Sequence, residues 1–426
     1  MPARGRVRRV CVIWCAWGLI INHTGQSLPE IPFGGLGNSG YASEGGAEAL
    51  DACLDPSGDV NGLHVNRGHP MGATVSSTGM GKAGSDFEAA LTLLEQPSRP
   101  VSVEDATRIA HDIFGMTGVL SCLPGERDRN FRLRSAQGGD YVLKIAHCAE
   151  RPDVLDLQDS VLRYLGAEDP TLAVPKLLAP HVPHAVWRDC AGDERIVRMV
   201  TFLPGTPLGN RATTVSLCAS VGGMLGRLDQ ALAGFHHPAQ SHALLWNLCN
   251  AAYMHNFIRY FPTGAQRAQV SAALAAFEQQ VQPVMATLPA QVIHNDFNVH
   301  NILCSEQAIE GVIDFGDVIC APRVQDLAIA ASYMMGTGTQ PLEQFMAILS
   351  GYCRTIALTG VELACLPAMM GARLVMSLGI SSWRASRNPA DAEYITRNQA
   401  IAWQGLARLE ALQDILRDRV LTFATA

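Results

Sequence analysis

Two stretches decide the reading: Val292-Ile293-His294-Asn295-Asp296-Phe297-Asn298-Val299-His300-Asn301-Ile302-Leu303, and then Gly311-Val312-Ile313-Asp314-Phe315-Gly316-Asp317. Gln291 to Ile293 is a short β-branched approach, and Asn301 to Leu303 restarts an apolar strand. Gln307-Ala308 is a turn, and Val312-Ile313 is the returning strand, ending at Asp314. The pattern predicts a tight loop followed by a hairpin. Asp296, Asn301 and Asp314 then sit at their ends, within reach of one point.

Three oxygen-bearing side chains converging from loop and strand ends suit a hard cation that keeps several waters, so Mg²⁺ is the expected metal. Phosphoryl transfer needs such a set. One carboxylate, Asp296, orients an acceptor hydroxyl and takes its proton, while Asn301 and Asp314 hold the metal on the phosphates. H-x-D-x-x-x-x-N from His294 to Asn301, followed by D-F-G from Asp314, is the kinase signature set in order. His294 is expected to support the loop, and His300 to be a loop residue. Asn295 either touches the acceptor or tolerates an unusual backbone angle.

Outward from the hairpins, Tyr141 to Ile145 alternates as a half-buried strand carrying Lys144. Only three of the 32 basic residues are lysines (Lys82, Lys144 and Lys176), so a retained lysine suits a compact ammonium in a phosphate cleft. On the acceptor side, amino alcohols are cationic and call for carboxylates, for which Asp317 is the candidate. Asp326, near the start of a predicted helix from Pro322 to Met335, reads as structural. An amino-acid acceptor would also want an arginine, and Arg373 or Arg384 on late helices supplies one; Trp383 and Tyr394 wall a pocket or belong to the core.

With these residues in place, positions 99–426 resemble the aminoglycoside phosphotransferase and choline kinase superfamily. Within it the likeness is to hydroxylysine kinase and to phosphotransferase domains fused to class III aminotransferases. The likeness also rests on Leu228 to Pro238, Leu245-Trp246-Asn247 and Ser381 to Arg384. The resemblance implies an α+β, protein-kinase-like fold. A small antiparallel lobe with one pairing helix and a hinge (99–205) would precede a larger helical lobe with the catalytic loop (206–426). It makes Phe202-Leu203-Pro204-Gly205 the hinge, so that Thr201, Phe202 and Leu203 join Lys144 in nucleotide binding. Pro124 to Phe131 stands where a phosphate cover belongs. The helix Val154 to Leu165 offers Gln158, Asp156 or Asp159 as the partner of Lys144. Helices are also predicted over Val215 to Leu232 and Arg267 to Leu288.

The implied activity transfers the γ-phosphate of GTP or ATP to a hydroxyl of a small amine or amino acid, as hydroxylysine kinase does. An aminoglycoside, homoserine or choline-type phosphotransferase and a catalytically silent nucleotide-binding protein are the alternatives. A protein kinase is disfavoured because no A-P-E segment follows Asp314.

The first 98 residues read differently: glycine-rich, with little period beyond the first twenty. Ile21 to Gly46 resembles the carboxyl-terminal tail of an aldehyde dehydrogenase, and Gly68 to Thr74 that of a thiolase, without the reactive segments of either family. They are expected to be a disordered, non-catalytic extension. Gly79-Met80-Gly81-Lys82 mimics a phosphate loop, but Ala83 stands where a metal-binding hydroxyl is needed. Across the 426 residues, 32 basic against 39 acidic side chains give a net charge of −7, which excludes a nucleic-acid footprint. Twelve cysteines without C-x-x-C fit a reducing, cytoplasmic setting. The longest uninterrupted apolar run, Val10 to Ile21, falls short of the ~20 residues that span a bilayer, and no membrane association is expected. The oligomeric state is left open.

Overall fold

The computed structural model describes residues 98–425 apart from Glu126, Pro183, His184, Ala212 and Gln307, with residues 11–15, 18–22, 33–35, 42–44, 91, 92, 94 and 96. The chain forms two compact units, Met1–Val75 and Ser76–Ala426. In the first, β1 (Cys11–Cys15) pairs antiparallel with β2 (Gly18–Asn22), and β3 (Phe33–Gly35) with β4 (Ala42–Glu44). The expected disorder of residues 1–98 and the Gly79–Lys82 run lie mostly or wholly outside the described residues.

The second unit opens with α1 (Val103–Phe114), a helix the sequence reading did not anticipate in the small lobe. Ser102 caps it by accepting from the Asp105 N–H at 2.9 Å, and Gly115 closes it at φ 65°. The strands β5 (Gly118–Leu123), β6 (Arg129–Ser135) and β7 (Asp140–Ile145) follow, then α2 (Pro152–Glu168), β8 (Val186–Arg188) and β9 (Glu194–Thr201). They make one antiparallel sheet in the order β5-β6-β7-β9-β8. Its inward face (Leu133, Leu143, Met199) buries against Ile109 and Phe114 of α1 in a core separate from that of the large lobe.

After β9, β10 (Thr206–Pro207), α3 (Val215–Leu232), a 3₁₀ segment (Leu248–Tyr260) and α4 (Gly264–Gln280) lead to four short strands. These are β11 (Ala290–Ile293), β12 (Ile302–Cys304), β13 (Ile309–Val312) and β14 (Ile319–Pro322). β11 pairs with β14, and β12 with β13, so the predicted hairpin forms with Ile302 opposite Val312. The helix expected to run to Leu288 stops at Gln280, just ahead of Pro283, which cannot continue the ladder. The chain ends with α5 (Val324–Thr337), α6 (Pro341–Cys353), α7 (Gly360–Arg387), α8 (Ala392–Ile395) and α9 (Gln399–Thr425).

Helices α3 and α6 cross at glycine contacts. A methyl group added at Gly222 would lie 2.0 Å from the Ile348 carbonyl oxygen, and one at Gly351 would lie 2.1 Å from that of Ala219. This closeness brings Asp229 of α3 against Tyr352 of α6. Helix α7 is long and apolar enough to cross a membrane, yet 89% of its most apolar stretch is buried inside the fold. It is apolar all round because it is the central helix of the large lobe.

The division expected at residues 98/99 falls inside the second unit. Leu91 and Leu94 pack against the large-lobe core, and Ser98 is buried with its Oγ accepting from Arg195. Removing residues 1–97 strips the Leu91 and Leu94 contacts and is expected to lower the thermal transition relative to removing 1–75, by about 2–4 °C for each kcal/mol lost. Calorimetry of the two truncations checks this.

Candidate active site

The site is built where the catalytic loop (294–301) and the turn after β13 face the β5–β6 turn. Its backbone is shaped by two non-glycine residues at positive φ, Asn295 at 63° and Asp314 at 66°. Asp326 holds the loop: its two carboxylate oxygens accept the N–H groups of His294 and Asn295 at 2.8 and 2.7 Å. His294 is fully buried. Its Nε2 donates to the Ile313 carbonyl at 3.1 Å, so Nδ1 accepts the Asp296 N–H at 3.2 Å and ties loop to hairpin. Burial pushes its pKa down to about 4, so the ring stays neutral.

Asp296 faces a ring of donors. Oδ1 accepts from Arg373 Nη2 at 2.7 Å and Asn298 Nδ2 at 2.9 Å; Oδ2 accepts from Asn301 Nδ2 at 2.7 Å. Burial raises its carboxyl to about 7, with Arg373 pulling down and Asp317 pushing up. Arg373, 1% exposed on α7, donates to the Trp246 carbonyl at 3.3 Å and lies 4.8 Å over the Trp246 ring.

Asp314 opens towards the cleft, its side chain 56% exposed, with Lys144 Nζ at 3.7 Å. The protein around it would raise its carboxyl, but the Lys144 ammonium, then Arg127, outweigh that and hold it below the usual range. Asn301 joins Asp314 through the Ile313 N–H, which donates to the Asn301 carbonyl at 2.9 Å. With its amide nitrogen committed to Asp296, Asn301 presents its side-chain oxygen as the free end. An amide oxygen and an ionised carboxylate form a hard donor pair that fits a divalent cation keeping its waters.

Several expected partners are rearranged. Gln158 does not meet Lys144: its Nε2 donates to the Gly316 carbonyl at 3.0 Å and its Oε1 accepts from Arg198 at 2.7 Å. Asp159 is taken by Arg198 and Asp156 by His237. The second carboxylate beside Lys144 is Asp128 of the β5–β6 turn, at 3.7 Å. Asn295 does not reach an acceptor, because its side chain is fully buried and accepts from Gln325 Nε2 at 2.6 Å. Arg384 lies eleven residues beyond Arg373 on the same helix, ~16 Å along its axis, and so is placed away from Asp296.

Asp317 is paired with Arg127, which reaches across from the β5–β6 turn. Thr201, Phe202 and Leu203 leave β9 as the connection between lobes. The Phe202 N–H donates to the Asp140 carbonyl at 2.9 Å, and the Arg132 guanidinium stacks on its ring at 3.9 Å.

Arg373 carried a readable signal: it is the only charged residue between Leu363 and Ile380. Arg127, Asp128, Arg198 and Asn298 carried none, since each acts through a partner distant in sequence or common in loops.

A small sheet lobe joined by one connection to a helical lobe that bears the catalytic hairpins defines a protein-kinase-like phosphotransferase. The chain belongs to the phosphotransferase enzyme family, which matches it over residues 121–362. It is 28% identical over 339 residues to hydroxylysine kinase of Mus musculus, covering 73% of this chain and 90% of that protein. The fold is similar to the structure of a microcompartment-associated aminopropanol kinase, with a TM-score of 0.57 at 16% identity over 75% of this chain and 100% of that one. A 37-residue stretch, 9% of this chain, is 54% identical to a 4-(hydroxymethyl)benzenesulfonate dehydrogenase of Comamonas testosteroni and covers 8% of it.

Proposed function

We propose that this protein is a small-molecule kinase that transfers the γ-phosphate of ATP or GTP to a hydroxyl of a cationic amino alcohol or amino acid, with 5-hydroxylysine as the leading acceptor. Supporting it above all is the state of Asp296, whose Oδ1 is saturated by Arg373 and Asn298 while Oδ2 keeps one lone pair beside Asn301. That lone pair is the base: it orients the acceptor hydroxyl and takes its proton as the oxygen attacks phosphorus. A carboxyl near 7 is matched to this task at neutral pH.

Asn301 and Asp314 would hold Mg²⁺, which when bound neutralises phosphate charge. Lys144, kept beside Asp314 and Asp128, contacts the phosphates, and the backbone of Thr201 to Leu203 faces the base. Asp317 offers negative charge to an acceptor ammonium, as does Glu150, which lines a cavity with Arg127, His242 and Leu244. His294 and Asp326 hold the loop. The catalytic unit begins within Ser76–Ala426, its lobes divided after the hinge at residue 205, and the N-terminal unit is a non-catalytic extension. The protein is assigned to the cytoplasm; the nine cysteines from Cys122 to Cys365 are free thiols.

The likeness to hydroxylysine kinase over nine-tenths of that protein supports this acceptor over an aminoglycoside. The test is nucleoside diphosphate release from ATP and from GTP, with and without Mg²⁺, across 5-hydroxylysine, homoserine, choline, aminopropanol and aminoglycosides. Metal-dependent release stimulated by 5-hydroxylysine is expected. Stimulation by an aminoglycoside alone would overturn the acceptor class, and no release with any acceptor would overturn the enzyme.

A further inference from the structure

A second carboxyl lies beneath the catalytic loop and has no part in the chemistry above. Asp229 on α3 and Asp326 on α5 are both fully buried, and their carboxyl groups come close enough to interact directly. Both oxygens of Asp326 already accept loop N–H groups, from His294 and Asn295. Asp229 Oδ2 accepts from the Tyr352 hydroxyl of α6 at 2.7 Å, and its backbone carbonyl accepts from Gln291 Nε2 of β11 at 2.6 Å. The cations acting on the pair are Arg373, which is committed to Asp296, and Arg323, ahead of α5. The Arg323 guanidinium is committed to Glu362 at 2.8 Å, and Asp229 forms no ion pair among the described residues.

Two ionised carboxylates have no donor to share, and without a facing cation they repel. The pair therefore keeps one proton. Burial raises both carboxyls, Asp326 to about 7, but the two backbone N–H groups favour the charged form of Asp326, whereas Asp229 receives a single neutral hydroxyl. The proton therefore rests on Asp229, whose free oxygen has no other partner among the described residues.

We infer that Asp229 is a positioning residue: neutral in the folded protein, it donates its carboxyl proton to Asp326. It thereby fixes the carboxylate that holds the His294–Asn295 backbone next to Asp296. The loop needs this hold because Asn295 sits at φ 63°, a conformation costly outside glycine. Two short, charge-assisted bonds from Asp326 offset that strain, and the Asp229 proton keeps Asp326 in the one orientation that makes both.

The sign of the pH effect follows from the same pair. Burial, then the Asp326 charge, push the Asp229 carboxyl well above its ordinary range. Folding therefore takes up a proton that the unfolded chain has released above about pH 4. The stability supplied by that proton is full below this value and declines as pH rises towards the folded value.

The test compares full-length wild type with Asp229→Asn and Asp229→Leu. An asparagine amide still donates to Asp326 and still accepts from Tyr352; leucine does neither. Chemical unfolding between pH 5 and 7 needs no substrate. Relative to wild type, the Asp229→Asn folding constant should rise by up to tenfold per pH unit. Turnover, which alone rests on the proposed kinase reading, is followed as ADP release from ATP, Mg²⁺ and 5-hydroxylysine. There kcat should stay within about threefold for asparagine and fall at least about tenfold for leucine, with KM for ATP little changed. Parallel pH dependences for wild type and Asp229→Asn would overturn the neutral acid, whatever the kinetics. Equal kcat losses in both variants would overturn the positioning role. If the leucine variant does not fold, the asparagine comparison still decides the matter.

Discussion

Asp296→Asn is expected to lower kcat by about 10²–10⁴-fold while the Kd for nucleotide moves less than about threefold. The argument is one of lone pairs. In the wild type three donors point at the carboxylate, two on Oδ1 and one on Oδ2, leaving a single acceptor site for the incoming hydroxyl proton. An asparagine has one oxygen and one NH₂. To satisfy the buried Arg373 guanidinium, its oxygen must take the Oδ1 place, so its NH₂ faces the Asn301 amide, donor against donor. The base is lost and the Asn301 side chain is turned. Lys144 and the hinge backbone are untouched, which is why nucleotide binding persists. Single-turnover kinetics and calorimetry with ATP measure the two effects separately. A variant turning over at a tenth of the wild-type rate or better would remove Asp296 from the base role.

What was legible in the sequence was local. The H-x-D-x-x-x-x-N run and D-F-G flank the β12–β13 hairpin, so spacing alone brings Asp296, Asn301 and Asp314 together. The α3 helix from Val215 to Leu232 was likewise readable, since its apolar residues repeat at helical steps. What was not legible depends on long-range contact. Lys144 meets Asp128 and Asp314 because β7 packs between β6 and β9, and Arg198, directly across from Lys144, takes the Gln158 and Asp159 side chains that helix register alone would offer to the lysine. Helix α1 had readable caps in Ser102 and Gly115, but they were not read as the ends of a helix. Asn295 was open to two readings, and the buried Gln325 favours the backbone one.

Arg373→Met should cost about 10–10²-fold in kcat and move the acidic limb of the pH–rate profile upward. Methionine keeps much of the arginine volume against Trp246 and Leu374-flanked α7, so the packing survives while the charge goes. Burial already lifts the Asp296 carboxyl to about 7, and Arg373 is the largest influence pulling it down. Without that guanidinium the carboxyl rises further, a smaller fraction is ionised at neutral pH, and the base is withdrawn. Orientation is lost as well, because Oδ1 keeps only the Asn298 bond and the carboxylate is free to turn its Oδ2 lone pair from the acceptor. Arg373→Lys separates these effects. Its ammonium restores charge, and with it the acidic limb, but cannot bond Asp296 and the Trp246 carbonyl in the same fork, so kcat recovers only in part. An acidic limb that stays in place in Arg373→Met would show that Arg373 braces α7 against Trp246 and does not act through Asp296.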